Sequence, residues 1–245
     1  MVSVVDVRQR WTSLRPEVRV AVGLSAFLLA YSNGTSVFSH DTREQFLLWS
    51  NLALLAGLLA WALGPARFSA SEIGLGRRRV PGSALFGALL SVVATVPPVL
   101  FIGLAPLFNG DAVEAPEITG RSGAEMAYFL LFRQPVGTAL FEEAAFRGVL
   151  YGAWQRVGGD RMAFLATAGT FSLWHLVITS RTVAESGVVD NPPALVAGVV
   201  VSLAGLFVGG LVFAYLRWHT RSIAAPAVTH WLIVALMSVT VWAMG

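Results

Sequence analysis

Three short runs put side chains able to move protons inside otherwise apolar sequence: Glu142, Glu143 and Arg147 in FEEAAFRG, His175 in FSLWH, and His230 in THWLIV. Glutamate and histidine can take a proton from water as a bond forms and return it to a leaving group. Adjacent residues on a helix point about 100° apart, so Glu142 and Glu143 cannot serve the same reacting atom. Glu143 and Arg147 stand at i and i+4, the spacing of a charge-assisted pair. Glu142 then faces elsewhere, free to bind or activate water.

Without chemistry, the same groups would be a buried ion-pair network that fixes helix packing. His175 beside Trp174 and His230 beside Trp231 would then be interfacial histidines. The surroundings bear on the choice. Of the 245 residues, 56% are hydrophobic and 13% are charged, against roughly 25% charged in a soluble domain. The expectation is an integral membrane protein. An ionisable side chain at the bilayer centre costs about 2.5–3.5 kcal/mol on insertion scales and usually faces a protein interior or a wet cavity. Three such places on different helices point to one shared site.

Composition also excludes mechanisms. There is no cysteine, so disulfides, thiolate metal sites and cysteine nucleophiles are absent. All 17 basic residues are arginine, which removes a lysine Schiff base or a Ser-Lys dyad. The net charge of +3 suggests no nucleic-acid partner, because no soluble basic surface is left to hold one.

The elements that must position these residues are expected to form an all-α, polytopic membrane bundle with about seven transmembrane segments. They fall at roughly 18–38, 46–64, 80–108, 124–155, 161–180, 193–216 and 222–244. The first is expected to be an anchor rather than a cleaved signal. The third, with Pro97 and Pro98, and the fourth, with Pro135 and Gly137, are expected to be broken; residues 124–134 would form a half-helix ahead of the glutamates. The chain divides into amino-terminal helices and a polar loop over 1–123 and a core over 124–245, together one membrane domain. The loop 109–123 would sit over an entrance.

With the amino terminus inside, twelve arginines (8, 10, 15, 19, 67, 77, 78, 79, 156, 161, 217 and 221) collect on the inner face against Arg43, Arg121 and Arg181 outside. These arginines are read as topology signals. Measured from them at about 1.5 Å per residue, Glu142 lies ~20 Å deep, His175 ~21 Å and His230 ~14 Å, compatible with convergence.

Taken together, the motifs resemble the CPBP family: the type II CAAX prenyl endopeptidases and bacteriocin-processing enzymes, also described as Abi-type intramembrane proteases. Glu-Glu-x-x-x-Arg is present as Glu142, Glu143 and Arg147, followed by Gly148, and Phe-x-x-x-His as Phe171 and His175. The third motif, His-x-x-x-Asn, keeps His230 but has Val234 in place of the asparagine. The approach to it, GLFVGGLVFAYLRWHTRSIAAPAVTH, also resembles the family, so the likeness covers about residues 124–244.

The resemblance implies an intramembrane endopeptidase in which Glu142 and His175 activate water, Glu143 and Arg147 orient the site, and His230 stabilises the oxyanion. Thr229, Ser238 or a backbone group would have to stand in for the absent asparagine. Metal is left open. Glu142, His175 and His230 offer one carboxylate and two imidazoles for zinc or another divalent ion, or the same three work without metal; lacking a His-Glu-x-x-His signature, no metal is assigned. The expected partners are the lipid bilayer and a membrane-associated protein or peptide substrate, and the expected location is a bacterial cell membrane. The competing reading is a catalytically inactive immunity or scaffold protein. A transporter is disfavoured, because no paired discontinuous helices occur in two corresponding halves.

Overall fold

The computed structural model describes residues 13–76, 79–109, 116–185 and 191–244. Arg8, Arg10, Arg77, Arg78 and the middle of the polar loop 109–123 lie outside them. Among the described residues every regular element is helical. In chain order these are α1 (Pro16–Thr35), α2 (His40–Leu63), α3 (Val80–Asn109), the single turn α4 (Pro116–Thr119) and α5 (Gly123–Tyr128). A π-helical stretch π1 (Phe129–Leu140), the α-turn α6 (Phe141–Glu143) and a second π-helical stretch π2 (Ala144–Leu150) follow without a break. The chain continues through α7 (Tyr151–Trp174), α8 (Leu176–Glu185), α9 (Pro192–Thr220) and α10 (Ala224–Met244).

In lipid no water is available to take up backbone groups, so each apolar stretch closes its own ladder as a helix. Helix starts are marked chemically. Pro16 and Pro192 lie in the first turns of α1 and α9, where a missing N–H costs nothing. The side chains of Ser39 and Asn191 accept from the backbone N–H of Thr42 and Ala194. Before α5, Ser122 and Glu125 form a reciprocal capping box. Within α7 the helix breaks at Gly158 and Gly159; Gly159 has φ 70° and ψ −166°, a conformation essentially confined to glycine.

Each of the seven expected stretches falls on helix, but length and apolarity confirm fewer than seven as spans among the described residues. Among the described residues four segments are long and apolar enough to cross a membrane: Phe46–Leu63, Val80–Leu104, Pro192–Thr220 and Ala224–Met244. The run Gly123–Trp174 and Leu176–Glu185, bent by 45° where they meet, raises the number to five. The stretch 18–38 falls on α1, whose apolarity is diluted by Glu17, Arg19, Ser25, Ser32 and Asn33.

The break expected in the third segment does not occur, since α3 runs continuously through Pro97 and Pro98. Two prolines remove two ladder bonds, but unwinding in lipid would strand more backbone groups than it freed. The fourth segment departs from α-helix in another way. No separate half-helix forms at 124–134; the chain widens into π1 and runs on to the glutamates.

Helix α10 lies along α3, and α7 packs against both α1 and α9. Small residues permit the closest approaches. A Cβ on Gly87 would lie 2.4 Å from the Ala225 carbonyl oxygen, and one on Gly210 would lie 3.0 Å from Ala168 Cα. The Thr229 hydroxyl fastens the first contact, 3.0 Å from the Gly87 carbonyl oxygen and 2.9 Å from that of Ala225. Between the helices Phe141, Phe146, Phe171 and Trp174 form a buried aromatic core with Leu28 and Leu55.

The Gly87 contact gives a direct test of the α3–α10 seam. Gly87→Ala is expected to destabilise the protein by about 1–3 kcal/mol, because a methyl group must push backbone apart. Gly57→Ala on α2, where a Cβ meets nothing within 4 Å, is expected to be neutral or stabilising by up to about 1 kcal/mol. Thermal unfolding of the two variants in detergent checks the contrast; equal melting temperatures would show that the seam is not tight.

Candidate active site

Glu142 and Glu143 occupy a single α-turn between two π-helical stretches. Such stretches bond residue i to i−5, swell the helix and leave the ladder locally imperfect. Pro135 lies inside π1 and has no N–H, so in the i−5 pattern the carbonyl of Leu130 loses its partner. The indole Nε1–H of Trp231 donates to that carbonyl oxygen at 2.7 Å. The residue after His230 is thereby pinned to the segment that carries the glutamates.

A second side chain meets π1 from α2. Asn51 Nδ2 donates to the Gly137 carbonyl oxygen at 2.8 Å, while Asn51 Oδ1 accepts from the Tyr31 hydroxyl at 2.7 Å. Gly137 leaves space for the Leu48 side chain, whose Cδ1 would lie 2.6 Å from a Cβ at this position and would have to move aside.

At the centre, Glu143 Oε1 accepts from Arg147 Nη1 at 3.1 Å and from His230 Nδ1 at 3.0 Å. Glu143 and Arg147 are wholly buried. Arg147 Nη2 also donates to the Gly210 carbonyl oxygen at 3.3 Å, a contact made possible by the close approach of α9 at that glycine. The guanidinium carbon lies 4.2 Å from the centre of the Phe171 ring and 5.1 Å from that of Phe213. With Phe146 at 5.8 Å as a third ring, the cation is held by a carboxylate, a carbonyl and three aromatic rings. Phe213 in turn stacks on His230, ring centres 5.3 Å apart.

His175 sits where α7 ends and α8 begins, with φ −91° and ψ 4°. Its Nδ1 lies 2.8 Å from the Phe171 carbonyl oxygen. A carbonyl only accepts, so Nδ1 carries the hydrogen, and in the neutral ring Nε2 keeps its lone pair. His230 differs, for its Nδ1 faces a carboxylate. The Phe171 ring joins the two histidines, its centre 4.7 Å from that of His175 and 6.3 Å from that of His230.

Glu143, Arg147 and His230 are therefore bonded directly, and His175 is linked to them through Phe171. Glu142 is buried, and no hydrogen bond reaches it among the described residues. Glu142 Oε2, Glu143 Oε2 and Arg147 Nε are buried without a hydrogen-bond partner. All three belong to the Glu-Glu-x-x-x-Arg motif. Buried polar groups are nearly always paired, and exceptions call for a strained or functional explanation.

Among the described residues no three His, Asp or Glu side chains are placed to hold one metal ion. Glu142, His175 and His230 are thus not gathered as a ligand set. Thr229, one candidate replacement for the missing asparagine, has its hydroxyl on the Gly87 and Ala225 carbonyls. The sequence reading missed Phe213 and Gly210, although their i, i+3 spacing already placed them on one helix face. Glu125 belongs to a capping box legible as Ser122-Gly123-Ala124-Glu125.

Residues 124–236 match the family described as Rce1-like, type II CAAX prenyl endopeptidase Rce1-like. This stretch contains the two glutamates, Arg147, both histidines and Phe213. No curated protein matches the chain, and no solved structure does. The apolar helices fit an integral membrane protein, and the family matched by residues 124–236 is one of peptide hydrolases.

The two glutamates differ in their consequences for stability. Glu143→Gln leaves a buried arginine without its carboxylate and is expected to cost about 3–5 kcal/mol. Glu142→Gln breaks no hydrogen bond or ion pair among the described residues and is expected to cost less than about 1 kcal/mol. Parallel thermal unfolding of the two variants in detergent provides the check; an equal loss for both would contradict the asymmetry.

Proposed function

We propose that the chain is an intramembrane endopeptidase, a reading supported by the match of residues 124–236 to the Rce1-like family of type II CAAX prenyl endopeptidases. It hydrolyses a peptide bond in a membrane-associated protein or peptide precursor. The observation that carries this reading is the cluster of three orphaned polar atoms, on Glu142, Glu143 and Arg147, buried together in an apolar bundle. A packing network would satisfy its own members. A site that takes in water and a peptide keeps polar atoms for them.

The roles follow from the partners each group already has. Glu142, which no hydrogen bond holds, takes a proton from water as the water oxygen bonds to the scissile carbonyl carbon. Nε2 of neutral His175 accepts a hydrogen bond from the same water and fixes its orientation. The carbonyl π electrons move onto oxygen, where Nε2–H of His230 donates. For that donation His230 must carry both ring protons, and the Glu143 carboxylate at Nδ1 stabilises that state. As the tetrahedral intermediate collapses, the C–N bond breaks and the Glu142 proton passes to the leaving nitrogen. One water is consumed, and a carboxyl and an amine are released.

Arg147 does not touch the reacting atoms in this scheme. It positions Glu143, and through it His230. No step is routed through a metal.

Val234 favours a second reading, a non-catalytic family member that binds a peptide. Losing one oxyanion donor typically costs about 2.7–4 kcal/mol, or roughly 10²–10³ in turnover. The decisive experiment is cleavage of a panel of membrane peptides by detergent-purified protein, with and without a strong chelator. Glu142→Gln and His175→Ala are each expected to lower turnover by about 10²–10⁴-fold while remaining folded. Val234→Asn is expected to raise it by up to about 10²-fold. Cleavage that persists unchanged in both folded variants, or no cleavage even by Val234→Asn, would sink the protease assignment and leave the binding protein. Loss of activity to the chelator alone would require an added metal.

A further inference from the structure

A cavity of about 710 Å³ opens at the end of the bundle where α7 breaks and α9 ends, and none of its lining residues has a part in the scheme above. Arg79, Arg217, Arg221, Tyr151 and Trp218 line it, and Glu72 is its only acidic lining residue among those described. Glu72 is engaged elsewhere. Its Oε1 takes Arg156 Nη2 at 2.9 Å and its Oε2 the Ser69 backbone N–H at 2.7 Å. That N–H is the chief reason its carboxyl is held below the ordinary carboxylate range. Asp160, close by, accepts from the Tyr151 hydroxyl, Gln155 and the Trp218 indole, all neutral donors. No carboxylate pairs with Arg79, Arg217 or Arg221 among the described residues.

Two features show that this cluster is built rather than incidental. Arg217 was read from sequence as a topology signal, but it is buried. Its Nε donates to the Arg147 carbonyl oxygen at 3.1 Å and its Nη2 to that of Glu72 at 2.8 Å. Gly74, at φ +74°, makes room for it, as a Cβ there would lie 2.5 Å from Arg217 Nε. Arg221 occupies the left-handed C-cap of α9, at φ 58° and ψ 24°, where glycine or asparagine normally sits. A strained backbone that retains a long cationic side chain points to use of that side chain.

We infer that this cavity binds the phosphate of an anionic phospholipid headgroup. Arg79 and Arg221, which pair with no carboxylate among the described residues, offer guanidinium groups that suit a phosphate oxyanion, and Arg217, whose Nε and Nη2 are held by backbone carbonyls, adds its charge. Tyr151 and Trp218 are the amphipathic aromatics found at headgroup level. A second depression shares Arg79 and continues past Phe86 and His219; exposed Val80 and Phe86 on α3 offer an apolar path for acyl chains.

Native mass spectrometry of the detergent-purified full chain tests this with phosphatidylglycerol, phosphatidylcholine and inorganic phosphate as probes. The wild type is expected to retain phosphatidylglycerol in preference to phosphatidylcholine. Arg79→Ala with Arg221→Gly is expected to lower that retention at least about tenfold, and Arg79→Lys with Arg221→Lys, which keeps the charge but not the guanidinium fork, is expected to lower it by less. Arg221→Gly relieves the left-handed strain, so its melting temperature is expected to equal or exceed that of the wild type, which separates lost binding from lost folding. Equal retention of the two lipids, or unchanged phosphatidylglycerol retention in the Ala/Gly variant, overturns the inference. Displacement of the lipid by equimolar inorganic phosphate identifies a soluble phosphate as the ligand and overturns the lipid assignment.

Discussion

A guanidinium with no exposure to water sits inside this bundle, and much of the local architecture answers to it. Moving such an ion out of water costs several kcal/mol even after relaxation, so it persists only with a carboxylate and further acceptors in good geometry. Glu143 supplies the carboxylate one turn away, and the carbonyl of Gly210 supplies the second acceptor. The carbonyl arrives because Gly210 lets α9 lie almost on the backbone of Ala168. Phe171 and Phe213 close the remaining sides with aromatic faces. One charge therefore fixes the relation of π2, α7 and α9, and draws in His230 from α10 because His230 shares the same carboxylate oxygen.

Holding α10 in place requires a second device, and it comes from an apparent defect. Pro135 deprives the Leu130 carbonyl of its ladder partner, and Trp231 satisfies that carbonyl from across the interface. An unsatisfied carbonyl in lipid is costly enough to make the bond a strong register mark between π1 and α10. His230, one residue earlier, inherits that register. On the far side of α10, Thr229 bonds to the Gly87 carbonyl of α3. Three consecutive residues, Thr229, His230 and Trp231, thus face a packing seam, the charged centre and a proline-freed carbonyl.

The fold class and the three polar motifs were legible in the sequence because both are local signals. Apolar runs report helices in lipid, and i, i+4 spacing reports the Glu143–Arg147 pair. Other features were not legible, because they depend on which helices meet. Pro97 and Pro98 read as a break, yet α3 continues; Pro135 and Gly137 also read as a break, yet π1 and neighbouring side chains absorb them. Local sequence alone does not say whether a neighbour stands ready to take a freed carbonyl. Phe213 could be placed on the Gly210 face of α9, but its stacking on His230 needs the α9–α10 packing. Arg217 looked like a surface cation until Gly74 and the loop carbonyls were seen around it.

The absent asparagine becomes more intelligible against this frame. In the proposed mechanism a donor one turn beyond His230 would share the oxyanion with it; Val234 leaves His230 as the only side-chain donor that the three motifs would supply. Thr229 cannot replace the asparagine without abandoning its hold on Gly87 and loosening the α3–α10 seam. The remaining donor is unusually well supported. His230 is bonded to Glu143 at Nδ1, stacked on Phe213 and held in register by Trp231. Preorganisation is what makes an oxyanion donor effective, because a fixed dipole needs no reorganisation as charge develops. A single rigid donor recovers part of what a pair would provide, and the part it cannot recover lies in the charge that one hydrogen bond leaves on the oxygen.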